Sequence, residues 1–248
     1  MLRSLSDCKK SRLKALDGVL GTVKDFLFDD EQWVVRYLVV DTGGWLKDRK
    51  VLVHPRLLGQ PELDFSSPDV PVRLTRKQVE NCPPIDEDAP VSRRYEAELA
   101  RYYSYPVYWP AGIGLAGPEM PPPSPEAAEE HRRILKSIED CHVRSAQEVR
   151  GYHVSASDGE IGHVEDFLSE THQWAIRYLV IDTRNWLPGR KVLVSPAWIH
   201  EVDWHGQKVH ATMTRDAIKG SPPYDGYSGV DRKYEGQLLD YYGLPRYW

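Results

Sequence analysis

The sequence predicts a mainly β protein with short helices, built from two small antiparallel barrels that are closed or partly open. A long segment occurs twice in the chain, which indicates two copies of one unit. Each copy contains about five or six short runs of β-branched and aromatic residues, separated by turn residues. Each copy also ends in a helical pattern, and closing the sheets would remove their adhesive edge strands.

The duplicated segment spans residues 17–55 and 158–196, which align without a gap at an offset of 141 and are identical at 23 of 39 positions. Downstream, the match resumes at an offset of 139 and continues to the Tyr-Trp pairs 108–109 and 247–248. We therefore predict a first repeat at residues 1–109 and a second repeat at residues 143–248. Each has a normal size for a small domain.

Strands are predicted in order along the first repeat. Residues 23–28 form the first, residues 29–32 a hairpin turn, and residues 33–41 a long strand whose apolar side chains point to both faces. Residues 50–54 form a third strand, which Pro55 ends because proline cannot donate to a sheet ladder.

The remaining elements complete each repeat with a strand pair, a short helix and a longer helix. Ser92 and Asp231 are good N-caps for the longer helices because their side chains can accept from exposed backbone N–H groups. The predicted ranges are 62–65 with 70–74, 76–81 and 92–103 in the first repeat, and 198–204 with 208–213, 215–219 and 231–242 in the second.

The two repeats are separated by residues 110–142. The first half of this segment is rich in proline and glycine, which is typical of an extended linker. Residues 125–140 are predicted to be a helix, with Ser124 as N-cap and Pro125 at the first helical position.

Charge and composition exclude several classes of protein. A net charge of −5 argues against a nucleic-acid partner, because such proteins need a basic face. No stretch approaches the roughly 20 apolar residues that a membrane span needs, so no membrane insertion is expected. The three cysteines form no CxxC pair, which favours reduced thiols in the cytoplasm.

One string raises the possibility of an enzyme. Residues 39–43, Val-Val-Asp-Thr-Gly, look like an aspartic protease motif, and the duplication would supply Asp41 and Asp182 as the paired carboxylates. The second copy has Arg184 in place of the glycine, so the favoured interpretation is that both carboxylates end a strand and bond the following turn. We predict no enzyme activity and therefore no catalytic residue, cofactor or metal site.

A protein-interaction surface is the kind of site that the tryptophans and arginines offer. Both residue types are over-represented among residues that dominate binding energy. The structural interpretation is favoured over it: the tryptophans would plug a barrel end, and each arginine would pair with a local acid such as Asp41 or Asp25. The candidates are Trp45, Arg49, Trp109, Trp186, Arg190 and Trp248.

The aromatic tails that end in Trp109 and Trp248 form a second candidate feature. A chain ending in Tyr-Trp is unusual unless those rings are buried. We expect each tail helix to pack its aromatic face on a barrel, either its own, that of the sister repeat or that of a second subunit.

Together the motifs GxxGxVxDF, WxxRYLVxDT, WL and RKVLVxP resemble PRC-barrel domains, and the closing SPP…YE…YYGxPxYW tail resembles stand-alone bacterial members. The resemblance covers both repeats. The family includes the cytoplasmic domain of the photosynthetic reaction-centre H subunit and the C-terminal domain of a ribosome maturation factor. It implies a barrel that docks on another protein. The first repeat departs from the pattern at Lys47-Asp48 and at Cys82.

We therefore expect a non-catalytic adaptor or assembly module. We expect its partner to be another protein, which the sequence does not identify. A second copy of the same chain is one such partner. The first alternative is an accessory protein of photosynthetic or other membrane electron-transfer complexes, which rests on analogy of fold. The second is an aspartic-type hydrolase using Asp41 and Asp182. The third, association with RNA or the ribosome, is weakened by the acidic charge.

Overall fold

The computed structural model describes residues 2–47, 49–59, 69–85, 91–108, 143–183, 190–226 and 230–248. The predicted linker, the helix expected at 125–140 and the strand expected at 62–65 lie outside the described residues. The described part is mainly β, as predicted, with short helices at the repeat starts and longer ones at the repeat ends.

The first repeat contains six strands and three α-helices among its described residues, with short 3-10 helices at Gly43–Leu46 and Pro55–Leu57. The elements are β1 (Leu2–Ser4), α1 (Leu5–Cys8), β2 (Arg12–Ala15), β3 (Gly18–Asp29), β4 (Val34–Asp41), β5 (Lys50–Val53), β6 (Asp69–Pro71), α2 (Arg76–Glu80) and α3 (Arg93–Tyr103).

The described part of the second repeat follows the same order and adds one strand, with a 3-10 helix at Pro196–Trp198. The elements are β7 (Val143–Ser145), α4 (Ala146–Val149), β8 (His153–Ala156), β9 (Gly159–Glu170), β10 (Ile176–Asp182), β11 (Lys191–Val194), β12 (Ile199–Asp203), β13 (Lys208–Ala211), α5 (Arg215–Gly220) and α6 (Arg232–Tyr242). The predicted caps Ser92 and Asp231 both accept from backbone N–H groups at the starts of α3 and α6.

The turn between β3 and β4 is built by an aspartate and ends on a left-handed tryptophan. The carboxylate of Asp29 accepts from the backbone N–H groups of Glu31 at 3.1 Å and Gln32 at 2.8 Å. Trp33 has a φ of 55°, and Trp174 at the equivalent point of the second repeat has a φ of 61°. The strand therefore begins at Val34, one residue later than predicted, because Trp33 belongs to the turn.

The strands form two sheets that do not close into barrels among the described residues. One sheet has the order β5-β4-β3-β2-β6, with β7 also paired to β3; the other has the order β11-β10-β9-β8-β13-β12, with β1 also paired to β9. The partly open alternative is therefore the better description. The expectation of purely antiparallel pairing is wrong at two ladders, since β2–β6 and β8–β13 are parallel.

Each repeat donates its first strand to the sheet of the other repeat. Strand β1 pairs with the end of β9, where Leu2 lies opposite Glu170. Strand β7 pairs with the end of β3, where Val143 lies opposite Asp29. The two pairings have the same register once the offset of 141 is applied, so the exchange is reciprocal.

A third contact between the repeats lies at the start of β4 and β10. Val34 and Ala175, which are equivalent residues, form an antiparallel bridge. The N–H of Val35 donates to the carbonyl of Trp174 at 2.8 Å, and the N–H of Ile176 donates to the carbonyl of Trp33 at 2.7 Å. A pseudo-twofold axis therefore passes through this bridge.

One apolar cluster joins the two repeats, so the two predicted barrels do not have separate interiors among the described residues. Phe26, Phe28 and Trp33 of the first repeat belong to the same buried cluster as Phe167 and Trp174 of the second. Smaller clusters lie where α3 and α6 cover the outer faces of the sheets, and the exchanged strands contribute to them: Val143 to the cluster at α3, Leu2 to that at α6. The predicted repeat boundaries stay a prediction, but the exchanged strands cross them.

Candidate protein-interaction sites

The predicted site residue Trp45 lies in the 3-10 helix after β4 and is half-buried. Its indole N–H donates to the carbonyl of Leu20 at 2.7 Å, and its ring packs against the shared core. The guanidinium of Arg76 covers the ring at 4.2 Å. These contacts fix Trp45 in the structure and leave part of its surface accessible. Its counterpart Trp186 lies outside the described residues.

The predicted site residues Arg49 and Arg190 bond main-chain carbonyls. Arg49 donates to the carbonyls of Glu80 at 3.2 Å and Cys82 at 2.8 Å. Arg190 donates to the carbonyl of Ser221, the equivalent of Cys82. Because the last carbonyls of a helix have no partner within the helix, these bonds tie the ends of α2 and α5 to the starts of β5 and β11.

The structure does not bring Asp41 and Asp182 together. They end β4 and β10, which lie in different sheets and run in opposite directions from the Val34–Ala175 bridge. The carboxylate of Asp41 accepts from the N–H of Gly43 at 2.9 Å, and this bond lowers the pKa of Asp41. Both carboxylates thus lie at strand ends, where Asp41 bonds the turn that follows.

A buried carboxylate under each aromatic tail was missed by the sequence reasoning. We call the first arrangement tail clamp one. Glu96 of α3 is only 1% exposed and accepts from the hydroxyls of Tyr37 at 3.0 Å and Tyr108 at 3.4 Å. The guanidinium of Arg36 lies 3.4 Å from the centre of the Tyr108 ring. The clamp thereby fastens the tail across its own sheet.

Tail clamp two is the equivalent arrangement in the second repeat. Glu235 accepts from the hydroxyls of Tyr178 at 3.3 Å and Tyr247. Arg177 lies 4.0 Å from the centre of the Tyr247 ring. This clamp also contains a direct ion pair, because Arg232 donates to Glu235 at 3.0 Å.

Burial sets the protonation of tail clamp one. It raises the pKa of Glu96 to about 7, although the hydroxyl of Tyr37 opposes the shift. Burial also lowers the pKa of His54 to about 3, so that this ring packs as a neutral aromatic against Tyr37 and Tyr105. The repeated pairs Arg-Tyr in the long strand and Tyr-Glu in the last helix were the sequence signal for these clamps.

The C-terminal tryptophan, which was expected to be buried, is only partly buried. Trp248 is 49% exposed, with the guanidinium of Arg232 at 4.4 Å from its ring. Trp109, its counterpart, lies outside the described residues. The end of α6 packs on its own repeat, since the ring centre of Tyr242 lies 4.0 Å from that of Trp198 in the 3-10 helix after β11.

An exposed apolar turn distinguishes the first repeat from the second. Leu16 is 74% exposed and Val19 is 48% exposed, and both lie at the turn between β2 and β3. The equivalent residues in the second repeat are the polar Ser157 and Glu160. We call Leu16 and Val19, with the intervening Asp17-Gly18, the apolar turn.

A groove of about 490 Å³ follows the junction between β3 and the exchanged segment β7–α4. Its lining carries both signs of charge, from Lys24 and Lys50 and from Asp25 and Glu148. Lys24 forms an ion pair with Asp41 at 3.3 Å. This lining of mixed charge does not define a ligand.

The comparison with known families agrees with these observations in one region. The PRC-barrel domain matches residues 17–62, the segment that contains β3, β4 and β5. No curated protein matches the chain. The match supports a β-barrel-like fold for this segment.

The described residues contain neither a membrane-spanning helix nor a group of metal ligands. Within the described ranges, no helix is both long and apolar enough to cross a membrane. Nor do the described histidine, cysteine and acidic side chains form a group of three or more that could hold a metal ion.

Proposed function

We propose that this chain is a non-catalytic adaptor composed of two PRC-barrel-type repeats, and that the apolar turn of the first repeat is its docking surface for another protein. The observation that carries the proposal is the PRC-barrel match over residues 17–62. That segment begins within the apolar turn and includes the exposed Val19.

The engagement of reactive side chains supports a non-catalytic role. Asp41, Arg49 and Glu96 all make the structural contacts described above. Burial raises the pKa of Cys8 to about 12, which keeps its thiol protonated, and thiols are poor nucleophiles in that form. Cys82 is also buried. These groups hold the fold and are not gathered around a space where a substrate could react.

The geometry of the apolar turn supports docking. Two exposed apolar side chains in one turn are suited to a protein surface that would remove them from water. The carboxylate of Asp17 accepts from the N–H of Arg76 at 2.8 Å, which fixes the turn against the start of α2. A rigid surface loses little conformational entropy on binding, which favours affinity.

The repeats themselves provide the variant that tests this proposal. Leu16→Ser combined with Val19→Glu gives the first turn the side chains of the second, and Ser157→Ala with Glu160→Ala is the matched control. Each tagged full-length chain would be cross-linked in its source cells and its bound proteins quantified by mass spectrometry. We expect a partner that is captured by wild type and control but lost from the first variant.

An unchanged set of captured proteins, with circular dichroism showing that all chains are folded, would refute the apolar turn as the docking surface. The identity of the captured proteins separates the alternatives. Subunits of a membrane electron-transfer complex would support the accessory role, and cytoplasmic proteins would support the cytoplasmic adaptor that we propose.

A further inference from the structure

Equivalent hydrogen bonds from both repeats stabilise the contact between them. We call the exchanged strands, the Val34–Ala175 bridge and these bonds the seam. Ser145 donates to the carboxylate of Asp25 at 2.5 Å, and Ser4 donates to the equivalent Asp166. The carboxylate of Asp166 also accepts from the N–H of Ser6 at 3.2 Å, as that of Asp25 does from the N–H of Gln147 at 3.1 Å.

Such a seam is isologous, as in a twofold-symmetric dimer, where the same patch is used on both sides. Its backbone bonds and its Ser–Asp contacts would be satisfied equally well by two first repeats or by two second repeats. Any preference for unlike repeats must therefore come from side chains that break the symmetry.

Phe28 and Ser169 break it at the centre of the shared core. The ring of Phe28 lies between Trp33, at 5.5 Å, and Phe167, at 5.4 Å. The equivalent set around Ser169 is Trp174 and Phe26, which stack directly with their ring centres 6.1 Å apart.

A third ring cannot fit between Trp174 and Phe26 at their present separation. Carbon atoms in contact need about 3.5–4.0 Å, so two rings with a third stacked between them must be about 7–8 Å apart. The hydroxyl of Ser169, which is 1% exposed, is satisfied by the carbonyl of Ala175 at 3.2 Å. The core therefore holds one ring at this pair of positions.

From this asymmetry we propose that the seam is a permanent and heterospecific interface, in which the first repeat recognises the second through the unequal pair Phe28 and Ser169. A pair of two first repeats would place two Phe28 rings in a core that has room for one. A pair of two second repeats would have Ser169 at both positions, and the missing ring would leave a void. The covalent connection between the repeats is then not required for their association, and each repeat is the preferred partner of the other.

The test starts from the full-length protein with a protease site inserted at residues 110–124, where the sequence predicts a linker. After folding, cleavage should leave a one-to-one complex of the two halves in native mass spectrometry. Unfolding and refolding the cut protein should regenerate the same one-to-one complex. Halves that separate after cleavage, or pairs of identical halves that form as readily as the mixed pair, would overturn the proposal.

Three variants assign the specificity to the two residues. Phe28→Ser removes the intervening ring and Ser169→Phe adds one, so each should weaken association of the cut halves about tenfold or more. The double variant Phe28→Ser/Ser169→Phe again carries one ring and should recover most of the loss. If the double variant is as weak as the two single effects combined, the residues act independently and the assignment is wrong.

Discussion

Tail clamp one places an acid in a setting that disfavours its charge. Glu96 is 1% exposed, and burial raises its pKa from 4.5 to about 7. In the unfolded chain the carboxyl gives up its proton at lower pH than in the folded chain. Stability therefore falls as pH rises from about 4.5 to about 7. The full effect is about 3 kcal/mol, since one pKa unit corresponds to about 1.4 kcal/mol.

The variant Glu96→Gln removes this titration and resembles the protonated acid: its one amide oxygen can accept from the hydroxyl of Tyr37, and its NH2 group can donate to the hydroxyl oxygen of Tyr108. We expect the melting temperature of the variant to exceed that of wild type by several degrees at pH 8, with little difference at pH 4.5. Thermal unfolding followed by circular dichroism across this pH range measures the effect. An equal difference at both pH values would show that ionisation of Glu96 is not the cause.

The variant Glu235→Gln is the matched change in the second repeat and should act in the opposite direction at pH 8. Glu235 is equally buried but forms an ion pair with Arg232 at 3.0 Å. The exchange replaces the charge-assisted bonds that the carboxylate accepts from Arg232, Tyr178 and Tyr247 with weaker neutral ones, which destabilises the protein. We expect a lower melting temperature at pH 8, and stabilisation by this change would contradict the structural difference between the clamps.

At the level of single residues, local features were predictable from the sequence and features that depend on the other repeat were not. The caps Ser92 and Asp231 were predicted because their bonds are local. The left-handed φ values of Trp33 and Trp174 were not, since such a backbone is strained for a bulky residue and persists only where surrounding contacts enforce it. Here their carbonyls accept bonds across the seam, which no local pattern encodes.

At the level of elements, the exchange of β1 and β7 predicts that a deletion in the first repeat changes amide hydrogen exchange in the second. Deleting residues 2–4 removes the strand that pairs with the end of β9 in the second repeat. We expect faster amide hydrogen exchange around residues 168–170, because their ladder bonds lose a partner. Faster exchange confined to β2 and β3 of the first repeat would contradict the pairing.

The last residues of the chain are expected to matter through Tyr247. Removing residues 246–248 deletes the hydroxyl that donates to the buried Glu235 and the ring under Arg177. The melting temperature should fall by several degrees, whereas Trp248→Ala alone should have a small effect because that ring is 49% exposed. Equal losses in the two variants would show that Trp248 carries the tail's contribution.

The elements were predictable where their pattern is strong. The repeated apolar runs correctly indicated β4 and β10, and the strand pair predicted at 198–204 and 208–213 corresponds to the hairpin of β12 and β13. Strands β1 and β7 are three residues long and were not predicted, because their formation depends on a partner from the other repeat.

For the whole molecule, the duplication was visible in the sequence but its consequence was not. Similar halves can form two separate barrels or one joined core, and the apolar pattern of each half is the same in both cases. In the described residues the main buried cluster contains side chains from both repeats, and two exchanged strands link the sheets. We infer that this joined core makes the two repeats one cooperative unit.

Differential scanning calorimetry of the full-length protein tests this claim most directly. A single cooperative unit unfolds in one transition whose calorimetric and van't Hoff enthalpies agree. We predict that behaviour for the intact chain at neutral pH. Two resolved transitions, each with the enthalpy of one repeat, would show that the halves fold as independent barrels and would contradict the joined core.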